Sequence, residues 1–276
     1  MRTRSTSLPP STKLAGERPW RLVRQYDGEP GLAMARDEAL LVEDLDRPCL
    51  RLYTWQPDGL SLGYFQRMAD VPRAAEATTV VRRWTGGGAI HHANELTFAI
   101  RATLTHPLYR GPVAKSYERV HAILIDALAA VGIQAALKGD DRRLSSDDPR
   151  TGMCFHESTP QDVIWDDAKG IGSAQRRKAD RVLHHGSIKL GTTPLEGPIA
   201  VAGVSLDDME SAVLDAFGRA GVSFAEGELS SSETAWAERR ASFFRSAEFL
   251  RRPEERRARR LGRPEGGLPR QDSNLE

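Results

Sequence analysis

The spacing of apolar positions changes several times along the chain, and each change marks an element. In residues 31–45, GLAMARDEALLVEDL, apolar side chains recur at three- and four-residue steps, which predicts an early helix with Leu32, Ala35, Ala39 and Val42 on one face. PCLRLYTW and LSLGYF are short apolar runs rich in strand-forming residues and predict two strands split by the turn QPDG. TTVVRRW predicts a strand running into a glycine turn, and ELTFAIRATL the strand after it. In SYERVHAILIDALAAVG the helical period is strongest, carried by Tyr117, Val120, Ile123, Leu124, Ala127, Leu128 and Val131, with Gly132 placed to end the helix. DVIWDDAKGIGSAQ reads as a hairpin turning over Asp166 to Gly170, and RVLHHGSIKL as its partner strand. SLDDMESAVLDAFGRAG opens with an S-x-x-D cap and closes on Gly221, and a last helix is expected from about Ser232 to Leu250.

Strand and helix periods alternate without a regular βαβα rhythm, so the fold class is α+β, with a mixed or antiparallel β-sheet flanked by helices. One domain over residues 18–250 is expected, between disordered tails at 1–17 and 251–276, where few residues could be buried. The basic run from Arg251 to Arg263 is diluted by Glu254, Glu255 and Glu265 and lacks aromatic residues for stacking on bases. Across the 276 residues, charged types make up 28% and sum to +1, so nothing draws the molecule to nucleic acid or to a membrane surface. No apolar run has the length of a signal peptide or a membrane span, and a soluble cytoplasmic protein is expected.

Candidate chemistry gathers at three places. The stretch VVRRWTGGGAIHH, Val80 to His92, puts Gly86, Gly87 and Gly88 at the end of a strand, where bare backbone can bring several N–H groups to an anion. No GK[ST] follows and no helix opens behind the glycines, so the stretch is neither a P-loop nor a dinucleotide fingerprint; a plain hairpin turn is the alternative. Arg82 and Arg83 are adjacent on a strand, and only one of them needs to point inward. The same alternation applies to His91-His92 and His184-His185, so one histidine of each pair faces a cleft, and no third ligand completes a metal site. Further on, Lys169 is expected in a turn, followed by the small residues Gly170, Gly172, Ser173 and Ala174, which leave room for a ligand beside a cation. Of the two cysteines, Cys49 lies in an apolar strand and reads as core, whereas Cys154, in RTGMCFHESTP, reads as an exposed thiol. Such a thiol becomes a nucleophile when a cation or base stabilises its thiolate, and Lys169, His92 and His185 are the available groups.

Together these stretches resemble the biotin/lipoate protein ligase and octanoyltransferase superfamily. RRWTGGGAIHH is similar to its R-R-x-[ST]-G-G-[GR]-x-[VI]-x-H motif, and KGIGSAQRRKADRVLHHGSI to its K-x-x-G-S-A-x-R segment followed by H-G-[ST]. MARDEALL and LRLYTWQPDGLSLGYFQ extend the likeness upstream, so that it covers about residues 20 to 200. The resemblance implies the catalytic-domain fold of these ligases. It implies that Arg82, Thr85, Gly86, Gly87 and Gly88 surround the carboxyl or phosphate end of an acyl substrate. His92, Gly172, Ser173, Ala174, His185 and Gly186 would line the same site, and Lys169 would hold the reacting carbonyl oxygen. CFHESTPQDVIWDDAK is similar to the Cys-Phe segment of one octanoyltransferase subgroup, which would make Cys154 the nucleophile.

The implied activity is then transfer of an octanoyl or lipoyl group from acyl carrier protein, through a Cys154 thioester, to a lysine of a lipoyl domain or glycine-cleavage H protein. No cofactor is needed for that transfer, and a monomer is expected. The alternative within the superfamily is an ATP- and Mg²⁺-dependent lipoate-protein ligase acting through a lipoyl-adenylate; a non-catalytic acyl- or protein-binding module is a third. Two positions depart from the transferase pattern: Gly88, where arginine is frequent, and Ala93, where aspartate is usual.

Overall fold

The computed structural model describes residues 18–43, 47–140 and 142–253. The expected tails at 1–17 and 254–276 lie outside the described residues, whereas residues 251–253 continue a helix that begins at 247.

The strands in chain order are β1 (Trp20–Gly28), β2 (Cys49–Trp55), β3 (Gly59–Leu62), β4 (Val80–Arg82), β5 (Ile90–His92), β6 (Glu95–Thr103), β7 (Ala136–Leu137), β8 (Val163–Trp165), β9 (Ala168–Lys178), β10 (Arg181–Lys189) and β11 (Phe224–Glu226). The helices are α1 (Pro30–Val42), α2 (Val113–Ala130), α3 (Leu206–Arg219) and α4 (Ser231–Arg240). A large mixed sheet of eight strands runs β11-β1-β2-β6-β10-β9-β8-β7, and a three-stranded sheet runs β4-β3-β5. In the large sheet β1 is parallel to both β2 and β11, and the remaining pairs are antiparallel. The runs on either side of QPDG are therefore strands, as expected, but they belong to different sheets.

Because successive strand residues face opposite sides, the large sheet divides its side chains between two cores. Leu52, Phe98, Ile100 and Val182 pack on one side with Val120 and Leu124 of α2 and Val213 and Phe217 of α3. Their neighbours Tyr53, Ala99 and Leu183 pack on the other side with Ala33, Met34 and Leu41 of α1 and with Phe244 and Phe249. Helix α2 follows its predicted stripe, and Gly132 beyond it takes φ +86°, the left-handed conformation that ends a helix. Helix α3 is capped by Ser205, whose hydroxyl accepts from the Asp208 amide at 3.1 Å.

Helix α1 departs from its predicted face. Leu32 and Val42 are only half-buried, while Asp37 and Glu38 are buried, because the helix lies between the sheet and the C-terminal segment and is covered on almost every side. Glu38 there receives Arg240 and Trp236, and Asp37 receives Arg51 and His185. The last helix is also broken. It stops at Arg240, passes through a 3-10 turn over Ala241–Arg245, and restarts where Ser246 accepts from the Phe249 amide at 3.2 Å. The break lets Phe243, Phe244 and Phe249 all reach the Trp84 ring.

Candidate active site

The site is assembled where the triple-glycine loop, the segment around Cys154 and strand β9 meet. Cys154 opens a single 3-10 turn whose backbone is tied to the residue after the glycines: the Cys154 amide donates to Ala89 O at 2.7 Å, and the Ala89 amide donates to Gly152 O at 2.8 Å. Phe155, fully buried, draws that turn inward, and the expected exposed thiol is in fact 9% exposed. Cys49 is core, as read, with burial pushing its thiol up.

Lys169 lies in strand β9 and not in a turn. Asp166 and Asp167, at φ 49° and 57°, make a complete two-residue hairpin turn by themselves, so Lys169 and Gly170 already belong to the strand. The Lys169 Nζ donates to Cys154 Sγ at 3.4 Å, to Glu157 O at 3.3 Å and to Asp162 Oδ2 at 2.8 Å. Burial by itself would favour the neutral amine, but the charges of Cys154 and Asp162 more than offset it and raise the lysine pKa, so the group is an ammonium. Asp162 was not foreseen. Its signal in the sequence is only an acid at the head of the strand DVIW, seven residues before the lysine.

Two glycines permit the approach of thiol and ammonium. A Cβ at Gly172 would lie 3.0 Å from Cys154 Sγ and 3.2 Å from Lys169 Cε, and one at Gly88 would lie 2.8 Å from the Cys154 amide nitrogen. A side chain at position 88 would therefore press on the cysteine backbone behind it.

Of the two loop arginines, the structure turns the other one inward. Arg82 is fully buried away from the site and donates to the carbonyls of Gly63, Gln66, Phe249 and Leu250, so its assignment to substrate is corrected: it anchors the C-terminal segment. Arg83 lines the site and donates to Gly86 O at 2.8 Å, Gly88 O at 2.7 Å and Ser61 Oγ at 3.1 Å. These bonds hold the glycine loop in shape. Thr85 borders neither of the cavities at Cys154; its hydroxyl bonds His185 Nε2 at 2.6 Å, and His185 Nδ1 bonds Asp37 at 2.7 Å.

His92 faces the site with its ring stacked on Trp55 at 3.8 Å. Burial pushes its pKa down to about 4 against the pull of Glu95, so the ring is neutral near pH 7. The hydrogen bonds then run in one direction: Arg83 to Ser61 Oγ, Ser61 to His92 Nε2 at 2.8 Å, and His92 Nδ1 to Glu95 at 2.6 Å. His184, the other member of its pair, is fully buried on the opposite face of the sheet. Ser173 sends its hydroxyl to that face too, leaving its backbone at the site, while a Cβ at Gly186 would lie 2.7 Å from Gly172 O.

Two cavities meet at Cys154. The inner one is small, about 30 Å³, and is bounded mainly by apolar surface from groups such as Met34, Tyr53 and Ile90, with Arg83 and His92 also on its wall. The outer one, about 990 Å³, is an open cleft of mixed polar and apolar surface with Asp162, Lys169 and Gln175 on its walls and Phe65, 71% exposed, also lining it. Gly86, Gly87, Cys154, Ser173 and Ala174 border both. The first is mainly apolar, the second more polar, and the thiol stands between them. Among the described residues no group of three or more His, Cys, Asp or Glu could hold a metal ion, and no helix is long and apolar enough to cross a membrane.

The chain is similar to known proteins. It is 36% identical over 178 residues to the octanoyltransferase LipM of Moorella thermoacetica, covering 62% of this chain and 65% of that relative. With the octanoyltransferase LipM of Staphylococcus aureus the identity is 33% over 180 residues, covering 61% of this chain and again 65% of the relative. The chain thus matches just under two thirds of the length of either one. Among solved structures, a lipoate-protein ligase A bound with ATP superposes with a TM-score of 0.69 at 19% identity, over 84% of this chain and 98% of that one. The bipartite lipoate protein ligase of Thermoplasma acidophilum, studied with its E2 lipoyl domain, gives 0.65 at 19%, over 85% and 96%. At such identities the likeness is one of fold. The model of the lipoyl protein ligase A/B catalytic domain matches residues 29–197, which include Cys154, Lys169 and the glycine loop, and the chain belongs to that family.

Proposed function

We propose that the protein is an acyltransferase that moves an octanoyl or lipoyl group from an acyl carrier protein, through a thioester on Cys154, to a lysine of a lipoyl domain or glycine-cleavage H protein. The observation that carries this reading is the Cys154 thiol held 3.4 Å from the Lys169 ammonium at the border of a mainly apolar cavity and a more polar, open cleft. The ammonium stands within hydrogen-bond reach of the sulfur that attacks. The thiolate attacks the carrier thioester, the carrier thiol leaves with a proton, and the acyl-enzyme keeps its chain in the inner cavity. The acceptor amine then attacks through the outer cleft, a C–N bond replaces the C–S bond, and the cysteine sulfur is released. A thioester gives way to an amide, so the sequence runs downhill and consumes no ATP. Burying about seven CH₂ and CH₃ groups at about 0.8 kcal/mol each would contribute about 5 kcal/mol to holding the chain. The naming of the LipM relatives as octanoyltransferases supports the same substrate, and the cytoplasm is the compartment we assign to it.

The test is to incubate octanoyl-carrier protein and an apo acceptor with the protein in the absence of ATP. Wild type is expected to transfer, with an octanoyl adduct on Cys154 in the intact mass, and Cys154→Ala to lose transfer by about a thousandfold or more. Transfer that survives the substitution would remove the thioester route; transfer seen only with ATP and Mg²⁺ would establish the ligase.

A further inference from the structure

His121 of helix α2 borders neither cavity, yet it is fully buried and bonded to both halves of the structure that holds Lys169. Its Nδ1 lies 2.5 Å from Gln161 O and its Nε2 lies 2.7 Å from Ser173 Oγ. A carbonyl oxygen only accepts, so Nδ1 carries the proton. Burial lowers the pKa of this ring, which keeps it neutral, and Nε2 must then accept from the Ser173 hydroxyl. That leaves the serine oxygen to accept from His184 Nε2 at 2.9 Å, and His184 Nδ1 to accept from Gln175 Nε2 at 3.3 Å. His184 Nδ1 also faces the Tyr109 hydroxyl at 3.5 Å, and the line runs from β10 through β9 and α2 to the segment before β8.

That segment supplies both oxygens that hold Lys169, Asp162 Oδ2 and Glu157 O. Ser173, at the other end of the imidazole, follows Gly172, whose missing Cβ leaves room for Cys154 Sγ. His121 therefore fixes the spacing between the acceptors of the ammonium and the strand that carries it.

We propose that His121 is a positioning residue that sets the Lys169–Cys154 geometry through the Gln161 carbonyl. The effect on turnover rests on the thioester reading given above; reactivity of the thiol itself does not. In the wild-type protein, ¹⁵N-correlated NMR of the imidazole is expected to find the Nδ1–H tautomer, and an Nε2–H tautomer overturns the proposal. His121→Phe is expected to slow iodoacetamide alkylation of Cys154 at pH 7 about tenfold, and His121→Asn, which keeps a donor near the Nδ1 position, to restore it to within about twofold. In a Lys169→Met background His121→Phe is expected to add nothing, because it acts through that lysine; an independent tenfold loss there, or unchanged alkylation in the single variant, overturns the proposal. Should His121→Phe fail to fold, the tautomer and the Asn variant still decide. A transfer assay that fails while the alkylation results hold counts against the thioester reading alone.

Discussion

At the scale of single residues, closeness of sulfur and ammonium depends on a hydrogen atom at position 172. Gly172→Ala would place a methyl 3.0 Å from Cys154 Sγ, and the thiol or the lysine must move. The expected outcome is at least a tenfold or so loss of Cys154 alkylation with little change in thermal unfolding; full reactivity in a folded variant would show that the contact is not needed. His92 makes a different prediction. Its pKa falls to about 4 from 6.5 on folding, so the unfolded chain binds a proton that the native state refuses between those values. Stability from this residue is complete above about pH 6.5 and declines on acidification, by about 2 kcal/mol at pH 5. Burial shifts His121 and His184 in the same direction. Urea midpoints at pH 7 and pH 5 measure the effect, and equal midpoints would refute it. Cys154, Lys169 and His92 could be named from the sequence because motif spacing carries them. Asp37 and Asp162 could not, since what makes each of them matter is a partner brought in by folding: His185 lies 148 positions from Asp37.

Among the elements, strand β4 separates two adjacent arginines into different tasks. Arg83 shapes the glycine loop, and Arg82 binds carbonyls of the C-terminal segment at Phe249 and Leu250. Alternation along a strand foretold that only one of the pair would face the site, but not which, because the choice is made by a segment some 167 residues away. Arg82→Met should leave several buried carbonyls unpaired and cost about 3 kcal/mol of stability. Thermal and urea unfolding would register it, and a midpoint within error of wild type would contradict the anchoring role. The isolated stripes of α2 and α3 were legible because each helix buries one face. That of α1 was not, since a helix enclosed on nearly all sides has no polar face to mark the stripe. The last helix was read as continuous because residues 232–250 hold neither glycine nor proline to signal the break that brings Phe243, Phe244 and Phe249 to Trp84.

For the molecule as a whole, the mixture of periods indicated an α+β class and a mixed sheet, but the sheet order required pairings such as β1 with β11 that no local pattern encodes. The two cavities are likewise products of assembly, each bordered by residues from distant stretches of chain. Their meeting at Cys154 constrains the order of events. On the proposed transfer, only the outer of the two is wide enough for a carrier arm or an acceptor lysine, so donor and acceptor would occupy the same doorway in turn. The donor would have to depart before the acceptor enters. Steady-state rates measured against carrier concentration at several fixed acceptor concentrations should accordingly give parallel double-reciprocal lines, with either protein inhibiting competitively against the other at high concentration. Intersecting lines would mean that both are accommodated at once.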